Sequence, residues 1–305
     1  MKSNFQKALI TGITGQDGSF LTRLLLSKGY EVVGVTNQKD LTNFEKLGID
    51  SSRVKFISFE EIPEVIEDGF EIYNYAGQSS VGQSWKNPLG TFEVNVNLYI
   101  NLIESVRSKK VKILQASSSE MFGDVKGTIS ETTKLNPQNP YGLSKLTAHK
   151  YGQIMRKSEG FFITNVILFN HESKLRDARF VTRKIIDSAI EISEGKKDFL
   201  ELGNIDVVRD WGLAEDYVEA MWKLMQLEDP EDIIVASGKS ISLRDYIKMV
   251  FEYLKIENYE KYIKINQEFI RSNEVMKIEA DVTKLNSFGI ELSPINSGNI
   301  HKLIS

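Results

Sequence analysis

Tyr141 and Lys145 stand four residues apart in the stretch Tyr141-Gly142-Leu143-Ser144-Lys145. On a helix that spacing puts both side chains on one face. A phenol, with an ordinary pKa of about 10, is a poor base at neutral pH. A nearby ammonium, together with a cationic nicotinamide, favours the phenolate and lowers that value. Tyr141 can then take the proton of a hydroxyl while hydride leaves the same carbon. Upstream lies Ser117-Ser118-Ser119-Glu120, directly after an apolar run, and Ser118 can hydrogen-bond the same hydroxyl. Glu120 adds a second capability. A carboxylate beside a newly made ketone can remove the proton on the adjacent carbon, which is acidic only after oxidation. Each feature has a plain alternative, an ordinary helix face for Tyr141 and Lys145 and a solvated strand end for Glu120. Their conjunction with a glycine-rich turn favours redox chemistry on an alcohol.

That turn is Gly12-Ile13-Thr14-Gly15-Gln16-Asp17-Gly18, with spacing G-x-x-G-x-x-G. It follows the first apolar run and opens a helix, the context in which such glycines permit a tight turn, close approach to a pyrophosphate and close helix packing. The helix N-terminus then faces the phosphates with its partial positive charge. The expected cofactor contacts are Gly12, Thr14, Gly15, Gln16, Asp17 and Gly18, with Tyr141 and Lys145. At the end of the second strand an acidic residue selects the ribose hydroxyl of NAD and an arginine the phosphate of NADP. Here the chain reads Thr36-Asn37-Gln38-Lys39-Asp40. Asn37 or Gln38 could bond a hydroxyl and Lys39 could meet a phosphate, so NAD is expected and NADP stays open.

The elements that must position these residues alternate. Lys7–Thr11, Glu31–Val35, Val54–Ile57, Phe70–Ala76, Val111–Ala116 and Phe161–Leu168 read as short apolar strands. Helical patterns lie between them, including one over roughly Thr91 to Ser108 and one over residues 141–158. This is the signature of βαβ units and a parallel sheet covered on both faces, an α/β fold. Beyond Asn170 the helices lengthen and the strands become irregular. The expected division is a dinucleotide-binding domain over 1–168 and a substrate domain over 169–305, interleaved through a strand near 232–237 that returns to the first.

With 305 residues the chain can bury a large core. Hydrophobic residues are 41% and charged residues 26%, ordinary for a globular protein. A net charge of −4 gives no reason to expect nucleic acid or an anionic membrane as partner. With no cysteine, disulfides, thiolate metal sites and cysteine nucleophiles are excluded. His149, His171 and His301 show no ligand spacing, which argues against a metal site. No apolar run reaches transmembrane length, and the N-terminus lacks the pattern of a signal peptide. A cytoplasmic location is expected.

Longer blocks carry a resemblance. They are Leu9-Ile10-Thr11-Gly12-Ile13-Thr14-Gly15-Gln16-Asp17-Gly18-Ser19, Ser117-Ser118-Ser119-Glu120, Asn139-Pro140-Tyr141 and Leu168-Phe169-Asn170-His171-Glu172-Ser173. Phe180-Val181-Thr182-Arg183-Lys184, Leu202-Gly203-Asn204 and Arg209-Asp210-Trp211-Gly212 follow. Through them the chain resembles the extended short-chain dehydrogenase/reductase superfamily. Within it, the chain is most similar to the GDP-mannose 4,6-dehydratases, from Ala8 to about residue 290.

The resemblance implies a Rossmann doubly wound parallel sheet with a smaller α/β nucleotide-sugar-binding domain. It implies oxidation at C4 of a GDP-manno-configured hexose or heptose, loss of water across C5 and C6, and return of hydride to C6. By motif match, Ser118 takes the usual threonine position, Glu120 is the C5 base, and Tyr141 with Lys145 is the C4 oxidation pair. Ser84, Asn170, Val181, Lys184 and Arg209 match the region that holds the GDP-sugar. Arg271 and Glu274 match a later pair whose arginine reaches the diphosphate. The chain departs from the family where Asn37-Gln38 replaces an arginine pair, and where Lys174-Leu175-Arg176-Asp177-Ala178-Arg179 replaces Pro-Arg-Arg-Gly. In the family these regions help hold cofactor across a subunit interface, and a homo-oligomer, dimer or tetramer, is expected. The alternative activity is a GDP-sugar 4-dehydrogenase or epimerase that forms the 4-keto sugar without losing water.

Overall fold

The structure, a computed structural model, describes residues 6–37, 40–270 and 275–304. Gln38, Lys39, Arg271 and Glu274 therefore lie outside the described residues. The first half of the chain alternates as its apolar periodicity demands. Strands β1 (Lys7–Thr11), β2 (Glu31–Val35), β3 (Val54–Ile57), β4 (Phe70–Asn74) and β5 (Lys112–Ser118) are connected through helices α1 (Gln16–Ser27), α2 (Thr42–Leu47), α3 (Ile62–Val65), α4 (Val81–Lys86), α5 (Pro88–Phe92) and α6 (Leu98–Ser105). The long helix expected over Thr91 to Ser108 is three pieces: α5 begins at Pro88, and a π-helical turn at Glu93–Asn97 separates it from α6. Next come β6 (Thr128–Ile129), the long helix α7 (Pro140–Glu159) and β7 (Phe162–Leu168).

After β7 the chain alternates between the main sheet and smaller sheets. It runs through β8 (Asn170–Glu172), α8 (Val181–Ser193), β9 (Leu200–Leu202), β10 (Val208–Leu213), α9 (Ala214–Met225) and β11 (Asp232–Val235). Then follow β12 (Ser240–Ser242), α10 (Leu243–Tyr253), β13 (Ile263–Ile265) and β14 (Glu279–Ala280). The main sheet has seven strands in the order β11-β7-β5-β4-β1-β2-β3, and every pair is parallel. β11 pairs with β7 from Asp232 opposite Asn165 to Val235 opposite Leu168, so late sequence completes the sheet.

Burial on both faces explains the near-continuous apolar strands. On one face Ile10, Leu21 and Leu25 pack with Tyr217, Met221 and Leu224 of α9. On the other, Leu9, Ile72 and Ile113 pack with Tyr99, Leu102, Ala148 and Met155. A separate core of Ile185, Ile186, Trp211, Tyr246, Ile247 and Val250 joins α8, β10 and α10.

The chain leaves β1 toward β2 on one side and reaches β4 on the other. That reversal opens a crevice at the carboxyl ends of β1 and β4, where open α/β sheets bind ligands. A buried polar row crosses the sheet beneath it. Thr11 Oγ1 donates to Asn74 Oδ1 at 2.6 Å, and Asn74 Nδ2 donates to Gln115 Oε1 at 2.6 Å. Thr11 Oγ1 also accepts from the Ala76 N–H at 3.0 Å, fixing the chain where it leaves β4.

Candidate active site

The glycine turn is shaped by backbone contact. Gly12 has φ +66°, and a Cβ there would stand 2.8 Å from Ala76 N and 2.9 Å from the Tyr75 carbonyl carbon. A Cβ on Gly18 would reach 2.6 Å from Ile13 Cα and would also strike the Gly12 carbonyl oxygen. Any side chain at either position would push α1 off the turn. Gly15 is the N-cap of α1 and supplies no side-chain capping bond. Among the described residues no side chain accepts from the first-turn N–H groups of α1, which could therefore hold phosphate oxygens. The Thr14 carbonyl is pinned by Asn43 Nδ2 at 2.8 Å. Asn37 is exposed just past β2.

The side chains of Gln16 and Asp17 turn to β8. Ser173 Oγ donates to Gln16 Oε1 at 2.8 Å, and Gln16 Nε2 donates to the His171 carbonyl at 3.3 Å. Asp17 Oδ2 lies 3.0 Å from His171 Nε2, while His171 Nδ1 bonds the Phe169 carbonyl at 2.8 Å. Burial alone would raise the Asp17 carboxyl and lower the His171 imidazole, but their mutual charge and hydrogen bond prevail. Asp17 lies below its ordinary value and His171 above. This link between the glycine turn and the later chain was not read from the sequence, where His171 was only one letter in a block.

The structure brings Ser118, Glu120, Tyr141 and Lys145 together where β5 ends beside the first turns of α7. Ser118 Oγ accepts from the Glu120 N–H at 3.2 Å, closing a short 3₁₀ turn over Ser119–Met121. Lys145 Nζ donates to the Ala116 carbonyl at 3.0 Å and stands 6.0 Å from the centre of the Tyr141 ring. Burial lowers the Lys145 ammonium to about 8, opposed by the negative charge of Asp17. Without the nicotinamide charge that the expected lowering included, the protein's own groups raise the Tyr141 phenol. Burial pushes it up to about 12, a hydrogen bond with Ser118 opposes the rise, and Glu120 adds to it. Among the protein's own groups, desolvation outweighs cationic help for this phenol.

Two asparagines support the set. Asn95, in the π-helical turn, donates through Nδ2 to Ser144 Oγ at 2.9 Å and to the Gln78 carbonyl at 3.0 Å. Asn139 caps α7 by accepting from the Gly142 N–H at 2.8 Å, and its Nδ2 donates to Glu120 Oε2 at 2.8 Å. An asparagine directly before a proline at the start of a helical pattern is a legible cap signal. Its second contact, to a carboxylate nineteen residues earlier, is not.

The residues expected to hold substrate are spread over two regions. Ser84 is buried in α4 and donates to the Val81 carbonyl at 2.7 Å. Asn170 opens β8 opposite Trp211. Val181 is exposed at the start of α8, and Lys184 one turn on donates to the Glu201 carbonyl at 2.7 Å. The Lys184 Nζ also lies 4.6 Å from the centre of the Phe269 ring, and partial burial lowers its pKa. Arg209 donates to the Val208 carbonyl at 2.8 Å and the Val275 carbonyl at 2.7 Å. Phe269 and Val275 flank Arg271 and Glu274, so Lys184 and Arg209 meet the two ends of one late segment. Phe269 was missed from the sequence because an isolated aromatic carries no motif.

Comparison with known proteins gives the family and the fold. The family model described as GDP-mannose 4,6 dehydratase matches residues 9–288. GDP-mannose 4,6 dehydratase 2 of Arabidopsis thaliana is 40% identical over 299 residues, spanning 91% of this chain and 80% of its own. Among solved structures, UDP-glucuronic acid 4-epimerase from Bacillus cereus, in complex with UDP-glucuronic acid and NAD, superposes with a TM-score of 0.85 at 22% identity, covering 98% of each chain. RMD from Pseudomonas aeruginosa, complexed with NADPH, superposes with a TM-score of 0.82 at 21% identity, covering 98% of this chain and 96% of that one. A parallel sheet with a glycine-turn cradle and a Ser–Tyr–Lys set is the architecture of a dinucleotide-dependent nucleotide-sugar enzyme. The chain belongs to the GDP-mannose 4,6-dehydratase family. Among its described residues, no helix is long and apolar enough to cross a membrane.

The Asp17–His171 pair sets a pH dependence with a definite sign. The His171 contribution is complete below pH 6.5 and is lost as pH rises through the raised imidazole value. The Asp17 contribution is complete above pH 3.8 and is lost as pH falls through the lowered carboxyl value. Thermal denaturation across pH 6 to 9 should therefore show the parent losing stability more steeply than His171→Gln. Equal slopes for the two proteins would show that the pair contributes nothing to folding.

Proposed function

We propose that this protein converts GDP-mannose to the corresponding 4-keto-6-deoxy sugar, with NAD as its cofactor. The observation that supports the reading is that Glu120, on the turn that ends β5, is bonded by Asn139, the cap of the helix whose first turn carries Tyr141. Tyr141 suits the C4 hydroxyl and Glu120 the C5 proton. The family membership supplies the substrate class, since the curated relative is named for GDP-mannose.

The tight turn of Gly12, Gly15 and Gly18, where added Cβ atoms at Gly12 and Gly18 would collide with backbone, brings the start of α1 to the crevice, where its N–H groups would hold a dinucleotide pyrophosphate. A bound nicotinamide would supply positive charge near Tyr141 and accept and return the hydride. The chain's own groups handle the protons. Ser118 orients the C4 hydroxyl, Tyr141 takes its proton, and the Lys145 ammonium stabilises the phenolate so formed. The ketone at C4 acidifies the C5–H bond, and Glu120 takes that proton. The C6 hydroxyl departs with that proton as water, the hydride removed from C4 returns to C6, and the proton held by Tyr141, exchangeable with solvent, goes to C5. Atoms balance: the sugar loses one water overall. Lys184 and Arg209 hold the GDP part, with Val181, Asn170 and Ser84 shaping the cleft. An arginine fork grips phosphate oxygens bidentately.

The preference for NAD rests on the end of β2, where Thr36 to Asp40 contain no arginine. A homo-oligomer is favoured by an apolar face on adjoining helices. Trp85 on α4 is 63% exposed and Leu89 on α5 is 84% exposed. Leu143 and Ile154 are exposed on α7 beside them. A second copy of the chain would cover this surface.

Five measurements test the reading. In heavy water the parent should yield a product lighter than its substrate by one water and labelled at C5. Tyr141→Phe should lose about 10²–10⁴ in turnover, as expected for removal of a positioned acid–base group. Glu120→Gln should form the 4-keto sugar but neither label C5 nor lose water. A parent that releases a product lighter by two hydrogens is a 4-dehydrogenase instead. Mass spectrometry of nucleotide released from purified protein should find NAD, and NADP would overturn that assignment. Light scattering should show an oligomer that Leu143→Glu with Ile154→Glu converts to monomer; a monomeric parent refutes the assembly.

A further inference from the structure

We propose that Asn139 is a positioning residue for the carboxylate of Glu120, coupling the start of the Tyr141 helix to the C5 proton transfer. The inference rests on the reading of Glu120 as C5 base. Three observations carry it.

First, one amide serves two masters. Asn139 Oδ1 accepts from the Gly142 N–H at 2.8 Å, and Nδ2 donates to Glu120 Oε2 at 2.8 Å. The partners force this orientation, since a backbone N–H can only donate and a carboxylate next to an amide N–H accepts. Second, the helix start and the Glu120 turn touch through backbone. A Cβ on Gly142 would stand 2.5 Å from the Glu120 carbonyl oxygen and 3.1 Å from Pro137 Cβ. Only a glycine lets α7 begin this close to the turn. Third, the contact engages one carboxylate oxygen and leaves the other for chemistry. Among the described residues no hydrogen bond engages Glu120 Oε1.

The consequence is geometric. Glu120 would otherwise have rotamers to sample past the end of β5. With Oε2 tethered, Oε1 keeps one direction relative to Tyr141, which lies two residues beyond Asn139 on the same helix. The two proton transfers occur on adjacent sugar carbons, so their acid–base groups need a fixed separation. Asn139 ties that separation to the first turn of α7.

Asn139→Asp and Asn139→Ser test this, because both replacements are good helix caps and keep the bond to the Gly142 N–H. Aspartate loses the donor and adds a repelling carboxylate, whereas serine loses only the donor. Misplacing a reacting group by about 1 Å can cost 10²-fold, so Asn139→Asp should lose about 10- to 10²-fold in kcat and in C5 deuterium labelling. KM for GDP-mannose, melting temperature and the absorbance of reduced nicotinamide on mixing with substrate should stay near the parent. Asn139→Ser should lose less in the same step.

If both variants label C5 at the parental rate while Glu120→Gln has lost labelling, the positioning role is refuted and Glu120 stands as the base. If Glu120→Gln itself labels C5 normally, the reading of Glu120 fails and the role of Asn139 with it. If melting temperature and cofactor reduction fall together with labelling, Asn139 is only a helix cap, and the proposal is overturned.

Discussion

A buried ammonium sets the terms for this site. Lys145 is nearly inaccessible, and burial draws its pKa down to about 8. A charge taken from water must find compensation or be given up. Here one N–H meets the Ala116 carbonyl, and the opposing charge comes from Asp17 at the first turn of α1. Asp17 is favoured there by the positive end of its own helix. It is held from the other side by His171 of β8, whose ring stacks on Tyr217 at 4.7 Å between centroids. The carboxylate that opposes the charge on α7 is thus itself held in place by a residue of the later chain. The raised imidazole, the lowered carboxyl and the lowered ammonium are three views of one buried assembly.

That assembly can exist because backbones approach closely. Gly12 and Gly18 let α1 sit on the turn, and Gly142 lets α7 sit on the Glu120 turn. Gly212 plays the same part for α9, where the Tyr217 ring occupies the space a Cβ would need. Each glycine faces a rigid neighbour, so the distances among Asp17, Lys145, Glu120 and His171 follow from backbone packing more than from side-chain choice. The conformational cost of these glycines is offset by contacts that no larger residue would permit.

The parts of this arrangement that the sequence displayed were those with local periodicity. The strands β1 to β5 and the Tyr141–Lys145 helix showed as apolar runs and an i, i+4 pair. The strand near 232–237 was legible for the same reason, although its position at the sheet edge depends on pairing with β7. The π-helical turn at Glu93–Asn97 was not legible, since its cause is tertiary: Asn95 must reach Ser144 and Gln78. His171 looked inert because its partner Asp17 is 154 residues away. The upward shift of Tyr141 in the protein without cofactor was not legible for a related reason. A spacing of four residues reveals that an ammonium is near, but the depth of burial that opposes it is set by the whole fold.

The same separation between local and distant information governs how β10 and the Glu120 turn are held in register. Arg209 on β10 grips the late segment through the Val275 carbonyl, and Val208 beside it exchanges backbone bonds with Met276 and Ile278 at 2.8 and 3.1 Å. Two residues further, β14 pairs with β6, and the Asp281 N–H reaches the Ile129 carbonyl at 2.7 Å. β6 lies on the segment that runs from Glu120 to Asn139. The strand carrying Arg209 and the loop that joins Glu120 to α7 therefore share one continuous backbone strap. Peptide bonds and ladder hydrogen bonds, not flexible side chains, span the distance between them. A span of main chain holds its two ends at a fixed separation, which bears on the proposed function because proton transfers at adjacent carbons tolerate little misplacement.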